Sequence, residues 1–514
     1  MKTAAALLLV LFTASVFADT APPPALDATV ARAMQQFRVP GVSIAIVKDG
    51  KVVVAKGFGV RKLGEPAPVD GDTLFQIASN SKAFTTAALA MLIDEGKLSW
   101  DDPVSKYLPA FRMYDPYASN EVLIRDLVSH RAGLGLGAGD LMIYPATDLS
   151  REEIVSRIRY IKPATSMRSR YAYNNLMFIV AGRVIETISG KSWEEFVAER
   201  ILMPLAMTKT VTSVRALRAS SDAATPHAPE GDRMVPIRYD VWENAAPAGG
   251  LASSANDMAK WLIAQLAHGK YDGDKRLFSE KQSREMWSAQ IPVRIPPAEG
   301  PLAALAPHFS QYALGWRTRD YRGHQLVGHS GGLTGTVSLV TLVPDLNLGI
   351  VVLTNQQATS LTNSITWQIV DHYLGGATTD WIDLYQKADE AKKKLAAEQK
   401  KHDDARAKDS KPSLPLEKYA GRYTDPWYGD VTIAAENGKL VMRFSHTAEL
   451  VGELEHWQHD TFVVRWHDRF LDADSFVTFA INADGEVTTI AMAPVSSRTD
   501  FSFDFQDLAL KRAQ

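Results

Sequence analysis

Cysteine is absent from the 514 residues, which excludes disulfides, thiolate zinc sites, thiol nucleophiles and cysteine-linked lipid anchors. Charge of one sign is equally scarce. Lys and Arg number 56 against 59 Asp and Glu, a formal net charge of -3, so no electrostatic case for nucleic acid or an anionic membrane follows. No Gly-rich phosphate loop or dinucleotide fingerprint occurs, nor any repeat at a solenoid period. Neither a cofactor nor a metal is expected. Beyond residue 18 no stretch is long and apolar enough to span a bilayer.

What is present describes a soluble globular chain, 46% apolar and 22% charged, long enough for a large core and an accessory module. The opening residues carry Lys2, an apolar run from Ala4 to Phe12 and small residues at Val16-Phe17-Ala18. That pattern predicts a secretory signal peptide over 1–18, and with it a periplasmic or secreted protein.

The runs VSIAIVK and KVVVAKGFG flank Asp49-Gly50, a dipeptide that tolerates the positive φ angles of a tight hairpin. A second pair, TVSLVTLV and LGIVVLTN, flanks Pro344 to Asn347 far downstream. Between them lie helical stretches: an all-round apolar one from Ser81 to Gly96, and another from Asn174 to Ile188 stopped by Gly190. Ser192 and Glu195 form a capping box for a third. Strands from both ends with helices between them predict an α/β sandwich plus a helical subdomain over 19–375. Residues 376–412 carry mixed charges and read as a solvated helical linker. From 413 to 514 short alternating runs with Asn437-Gly438 and Asp484-Gly485 turns predict a small all-β, barrel-like domain.

The chemistry centres on Ser79-Asn80-Ser81-Lys82. At a helix start, residues three apart share a face, so Lys82 reaches Ser79. The helix dipole and burial both disfavour an ammonium there, which frees Lys82 to act as a base. A lone serine hydroxyl needs such help. Tyr173-Asn174-Asn175 then precedes an apolar helix, and His329-Ser330-Gly331 precedes a strand. Gly328 to Gly332 also matches G-x-S-x-G, but that elbow needs a following helix, and the residues after it have strand periodicity. His456, His459 and His467 lie among Trp457 and Trp466 and read as structural imidazoles, not metal ligands. Asp101-Asp102 reads as a turn and cap.

S-x-x-K, then Y-x-N, then a basic residue with Gly two positions on resembles the family of class C β-lactamases, DD-peptidases, D-aminopeptidases and related esterases. Stretches such as VPGVSIAIVKDG, IRDLVSHRAGL and GHSGGLTG are similar too. The resemblance implies a β-lactamase-like α/β fold and, more weakly, a lipocalin-like C-terminal barrel. It implies Ser79 as acylated nucleophile, with Lys82 and Tyr173 as proton relay. For Tyr173 to serve as a base, neighbouring cations would have to lower its phenol from about 10. Asn175, His329 and Gly331 are implied on the substrate side, and the N–H groups of Ser79 and Gly332 as the oxyanion hole. Lysine is usual where His329 stands. That departure favours a peptidase over a pure β-lactamase. If His329 contacts a substrate carboxylate, binding should weaken as pH rises from about 6 to 8; the alternative is a neutral imidazole that donates to Tyr173 or to the acyl-enzyme. The implied partner is a small peptide or β-lactam-like substrate, and a homo-oligomer is allowed. A non-catalytic penicillin-binding or peptide-sensing protein is the contrasting expectation. The C-terminal domain is expected to fold independently and to restrict substrate size only.

Overall fold

The computed structural model describes residues 21–376, 379–403, 406–407 and 409–513; the expected signal peptide lies outside them. After α1 (Leu26–Phe37), eight strands among the described residues form one antiparallel sheet. They are β1 (Gly41–Lys48), β2 (Lys51–Gly59), β3 (Ile291–Pro292), β4 (Ser310–Tyr312), β5 (Arg317–Tyr321), β6 (His324–Leu333), β7 (Thr336–Val343) and β8 (Leu348–Thr354). Their order across the sheet is β2-β1-β8-β7-β6-β5-β4-β3. β1 pairs β8 from Val42–Thr354 to Lys48–Leu348, so the two ends of the unit meet inside the sheet, as its second and third strands. Asp49 and Gly50 take φ 52° and 74°, the tight turn their dipeptide predicts.

β1 is buried along its whole length because both faces of the sheet are covered, hence apolar residues at successive positions, interrupted only by Ser43, from Val42 to Val47. Val42, Ile44 and Ile46 pack with α1 and a later helix, α5 below. Ala45 and Val47 point the other way, into the larger core. That core surrounds α2 (Ser81–Asp94), α3 (Leu176–Ser189) and α4 (Ala255–Leu266). α2 is buried from Ser81 to Leu92, with Phe84 stacked on Trp261 at 4.0 Å. α3 ends where Gly190 turns left-handed at φ 71°, and the Ser192–Glu195 capping box follows.

α5 (Thr359–Tyr373) leads into α6 (Trp381–Asp403), which occupies the charged stretch. Its opening turns are not solvated. Trp381, Ile382 and Tyr385 are buried with Trp367, and the Trp381 indole donates to Asp371 at 2.8 Å. These three apolar positions fall on one helical face, a stripe that the surrounding lysines and glutamates obscure in the composition.

The closing module is an eight-stranded closed barrel: β9 (Gly421–Asp425), β10 (Gly429–Glu436), β11 (Lys439–Phe444), β12 (Val451–Gln458), β13 (Thr461–Trp466), β14 (Ser475–Ile481), β15 (Val487–Pro494) and β16 (Leu510–Arg512). Pairing of Tyr423 with Arg512 closes it. Tyr419, Phe462 and Phe479 pack together in its core, with centroids 4.9 to 5.6 Å apart. Asn437-Gly438 makes a tight two-residue turn at φ 51° and 76°. At Asp484-Gly485 the loop is longer, with the Asn482 side chain accepting from the Asp484 and Glu486 amides. Among the described residues no helix is long and apolar enough to cross a membrane.

Candidate active site

The short strand Phe75–Gln76 runs into a turn at Ala78–Asn80 just ahead of α2. Ala78 sits at φ 48°, a left-handed conformation costly for a residue with a Cβ. The turn holds Ser79 at the wall of a cavity of about 520 Å3. One turn along, Lys82 is fully buried. Its Nζ lies 2.9 Å from Ser79 Oγ, 2.8 Å from Asn175 Oδ1 and 2.8 Å from the Ala248 carbonyl. Burial pulls its pKa down to about 7, the Asp140 charge opposing. A neutral amine has two N–H bonds and one lone pair. With Asn175 and Ala248 taking both N–H bonds, the lone pair is left for the Ser79 hydroxyl.

The Tyr173 hydroxyl donates to Ser79 Oγ at 2.6 Å. Burial pushes its phenol well above the usual range, so the lowering that a phenolate base would need does not occur. The ring lies in an aromatic wall, 4.2 Å from His130 between centroids; His130 in turn is 4.4 Å from Tyr312.

His329 is also neutral. Its Nδ1–H donates to the Ser330 carbonyl at 2.6 Å, and Nε2 accepts from the Tyr312 hydroxyl at 2.9 Å. Burial, then the Lys82 charge, push the imidazole down to about 3. The expectation of a carboxylate-binding imidazole that titrates between about pH 6 and 8 is therefore corrected. The cations that do reach the cavity are Arg498, on the barrel loop beside Asp500, and Arg317 on β5, exposed and held by Ser310.

Asn175 lines the cavity with Ser79. Its Oδ1 accepts from Lys82 and one Nδ2 hydrogen goes to Asp140 Oδ2 at 2.8 Å, which leaves the second Nδ2 hydrogen for a substrate. Gly331 lies beneath the cavity, not at its wall. A Cβ there would stand 2.1 Å from the Ile77 carbonyl, whereas one at Gly332, which does line the cavity with Ser79, would meet nothing within 4 Å. Gly331→Ala should therefore destabilise the fold by about 1–3 kcal/mol through overpacking, and Gly332→Ala should leave it unchanged; thermal melts of both variants check this. Ser330 is exposed in the middle of β6, opposite Leu339, so no nucleophile elbow exists there.

Asp140 was not singled out in the sequence. It is fully buried and accepts from Asn175 and from Ser502 Oγ at 2.9 Å. Burial pushes its carboxyl up to about 7 against those hydrogen bonds. Ser502 belongs to the barrel. The loop between β15 and β16 brings Asp500, Phe501 and Ser502 to the cavity wall, and Phe501 meets Tyr173 edge-on at 5.8 Å. The barrel thus reaches the catalytic cluster directly, beyond the size-restricting role expected of it. A signal existed in GLGAGD, where Gly137 and Gly139 take φ 67° and 84° and mark a loop under close approach. Nothing in the sequence marked Arg317 or Tyr312. Elsewhere, Asp102 accepts from the Ser99 amide and Asp101 pairs with Arg125, a turn. His456 Nε2 lies 3.0 Å from the His459 carbonyl.

A β-lactamase family model matches residues 26–373, and one described as a domain of unknown function (DUF3471) matches 405–512. An unguisins hydrolase of Aspergillus campestris, ungD', is 31% identical over 79% of this chain and 76% of its own. Protein flp of Staphylococcus aureus is 26% identical over 70% of this chain and 69% of its own. The octameric penicillin-binding protein homologue from Pyrococcus abyssi covers 95% of this chain and 99% of its own, with TM-score 0.61 and 23% identity, a likeness of fold.

Proposed function

The chain belongs to the β-lactamase family, and from that membership and the geometry around Ser79 we propose that it is an exported serine hydrolase. It works through an acyl-enzyme and cleaves an amide bond in a small peptide carrying D- or otherwise unusual residues. The observation that carries this reading is the convergence of the buried Lys82 amine and the Tyr173 hydroxyl on Ser79 Oγ, at 2.9 and 2.6 Å. A pure binding protein has no use for that pair.

In the proposed reaction Ser79 Oγ attacks the carbonyl carbon while its proton passes to the Lys82 lone pair. The oxyanion is received by the Ser79 and Gly332 N–H groups at the cavity wall. Collapse of the tetrahedral intermediate breaks the C–N bond, and Tyr173 gives its proton to the leaving nitrogen. The phenolate so formed is a far stronger base than the Lys82 amine, so it recovers the proton from the ammonium and the pair is neutral again. Water then repeats the attack on the ester, with Lys82 taking its proton; the second tetrahedral intermediate breaks its C–Oγ bond, and the Lys82 ammonium returns the proton to Ser79 Oγ as the acid leaves.

The cavity's size suits a short peptide. Leu136, Trp242 and Phe501 give it an apolar side, and Arg317 and Arg498 supply positive charge, with Arg317 on the sheet close to His329 and Tyr312. The name of the fungal relative, a hydrolase, supports the reaction class. Mass spectrometry after a slow acylating inhibitor, joined to a panel of D- and L-aminoacyl peptides, short esters and a cephalosporin, tests the reading. An adduct on Ser79 with turnover of D-aminoacyl amides is expected. Turnover confined to esters or the cephalosporin would replace the peptidase assignment with a carboxylesterase or β-lactamase.

Arg317 and His329 divide the carboxylate question. Arg317→Ala should raise KM for free-acid peptides about tenfold or more, as loss of a charged hydrogen-bonding partner does, and leave KM for their amides nearly unchanged. In the wild type, KM for acids and amides should show parallel pH profiles from about pH 5 to 8, because His329 stays neutral throughout. Steady-state kinetics on matched peptides reads both, and a KM that rises only for the acids would restore the titrating imidazole.

A further inference from the structure

We propose that Ser502, carried by the C-terminal barrel, is a positioning residue for the catalytic base: through Asp140 and Asn175 it holds the Lys82 amine on Ser79. This rests on the reading of Ser79 and Lys82 given above. The chain of contacts is unbroken. Ser502 Oγ donates to Asp140 Oδ2 at 2.9 Å, Asn175 Nδ2 donates to the same oxygen at 2.8 Å, and Asn175 Oδ1 lies 2.8 Å from Lys82 Nζ. All four residues are buried, the most exposed, Ser502, at 6%.

The barrel grips this segment at two further points. Asp504 accepts from the Gly139 and Leu141 amides, on either side of Asp140, at 2.5 and 3.0 Å. A Cβ at Gly137 would stand 2.6 Å from the Phe501 carbonyl, so a residue without a side chain is required where the barrel loop crosses. Gly137 N also donates to the Tyr173 carbonyl at 2.9 Å, so the same loop supports the second member of the relay. Asp140 Oδ1 is buried without a hydrogen-bond partner among the described residues. The carboxylate charge therefore rests on the two donors to Oδ2, of which Ser502 is one, and on the Lys82 charge.

The charged and titratable groups that bear on Asp140 are Lys82, Asp500 and Asp504; around Lys82 stand Tyr173, His130 and His329 besides Asp140. A hydrogen bond from Ser502 favours the ionised form of Asp140, and ionised Asp140 favours the ammonium of Lys82. Losing the hydroxyl therefore neutralises Asp140 more readily and lets Lys82 give up its proton at lower pH. The two groups titrate as a pair, and the acid limb of the pH–rate profile reports that pair.

The experiment compares Ser502→Ala with Ser502→Thr in the full chain, using kcat/KM on a chromogenic ester or amide as a function of pH. Ser502→Ala should move the ascending limb to lower pH and reduce the plateau about tenfold or more, as misplacement of a reacting group does. Ser502→Thr, which keeps the hydroxyl, should retain the wild-type limb. Asp140→Asn should also shift the limb downward, and adding Ser502→Ala to it should move the limb no further. A Ser502→Ala profile that coincides with the wild type overturns the proposal, as does a full second shift on the Asp140→Asn background. Should Ser502→Ala melt below the assay temperature, Ser502→Cys, similar in shape and a weak donor, takes its place: a lowered limb supports the proposal and an unmoved one overturns it. Mass spectrometry of the Ser79 acyl adduct in each variant separates the outcomes. Adducts elsewhere count against the nucleophile itself, whereas normal acylation with an unmoved limb counts against Ser502 alone.

Discussion

Ser79→Ala should reduce turnover by at least about 10,000-fold, the scale seen when a serine nucleophile is removed, while the melting temperature stays close to the wild type. Ser79 Oγ is the atom on which the Lys82 amine and the Tyr173 hydroxyl meet, so its loss removes the nucleophile and leaves the relay nothing to activate. The fold has little at stake there. Lys82 keeps Asn175 and the Ala248 carbonyl, and Tyr173 faces a cavity from which water can supply a replacement partner. The paired control is Ser330→Ala. Ser330 lines the same cavity from the middle of β6, with no base beside it and no helix following among the described residues, so that variant should keep most of its activity. Steady-state rates on one ester, with far-UV circular dichroism on both variants, decide the matter. Full activity in Ser79→Ala and none in Ser330→Ala would reverse the assignment.

The parts of this site that could be read from the sequence are those set by local geometry. Ser79 and Lys82 are three residues apart at a helix start, and backbone spacing alone brings them together. Asp49-Gly50 and Asn437-Gly438 turn as their dipeptides dictate, and the β-rich runs on either side of Asp49-Gly50 pair as the hairpin they predict. What escaped was set by packing between distant segments. Whether His329 carries a charge depends on Tyr312 and on burial beside Lys82, and no spacing rule contains that. That Asn175 also joins Lys82 to Asp140 depends on a loop that no spacing places. The contact from Ser502 to Asp140 joins residues 362 apart. The barrel loop that makes it alternates Phe501, Phe503 and Phe505 with polar residues, a pattern that in isolation reads as one more strand of the barrel. For the same reason α6 looked solvated, since Trp381, Ile382 and Tyr385 acquire meaning only once Trp367 stands opposite them.

Removing the base and the acid separately should give losses alike in size but different in pH dependence. Lys82→Met keeps the volume of the buried chain, and Tyr173→Phe deletes one oxygen; each should lower kcat/KM by at least about a hundredfold. In the wild type the rate should rise with pH along a limb near 7, because only the neutral Lys82 amine accepts the Ser79 proton, and burial brings that pKa, together with that of Asp140, to about 7. Tyr173 must be protonated to act as the acid. With its phenol well above the usual range, the plateau should extend to about pH 10 before any fall. Tyr173→Phe should therefore keep the limb near 7 at a lower plateau, while Lys82→Met should lose the limb itself. The two residues act on one oxygen, so the double variant should be only slightly slower than either single one. Rate profiles of the four proteins from about pH 5 to 10 test all of this. If Tyr173→Phe abolishes the limb, or the two losses multiply in the double variant, Tyr173 is the titrating base and Lys82 serves another step.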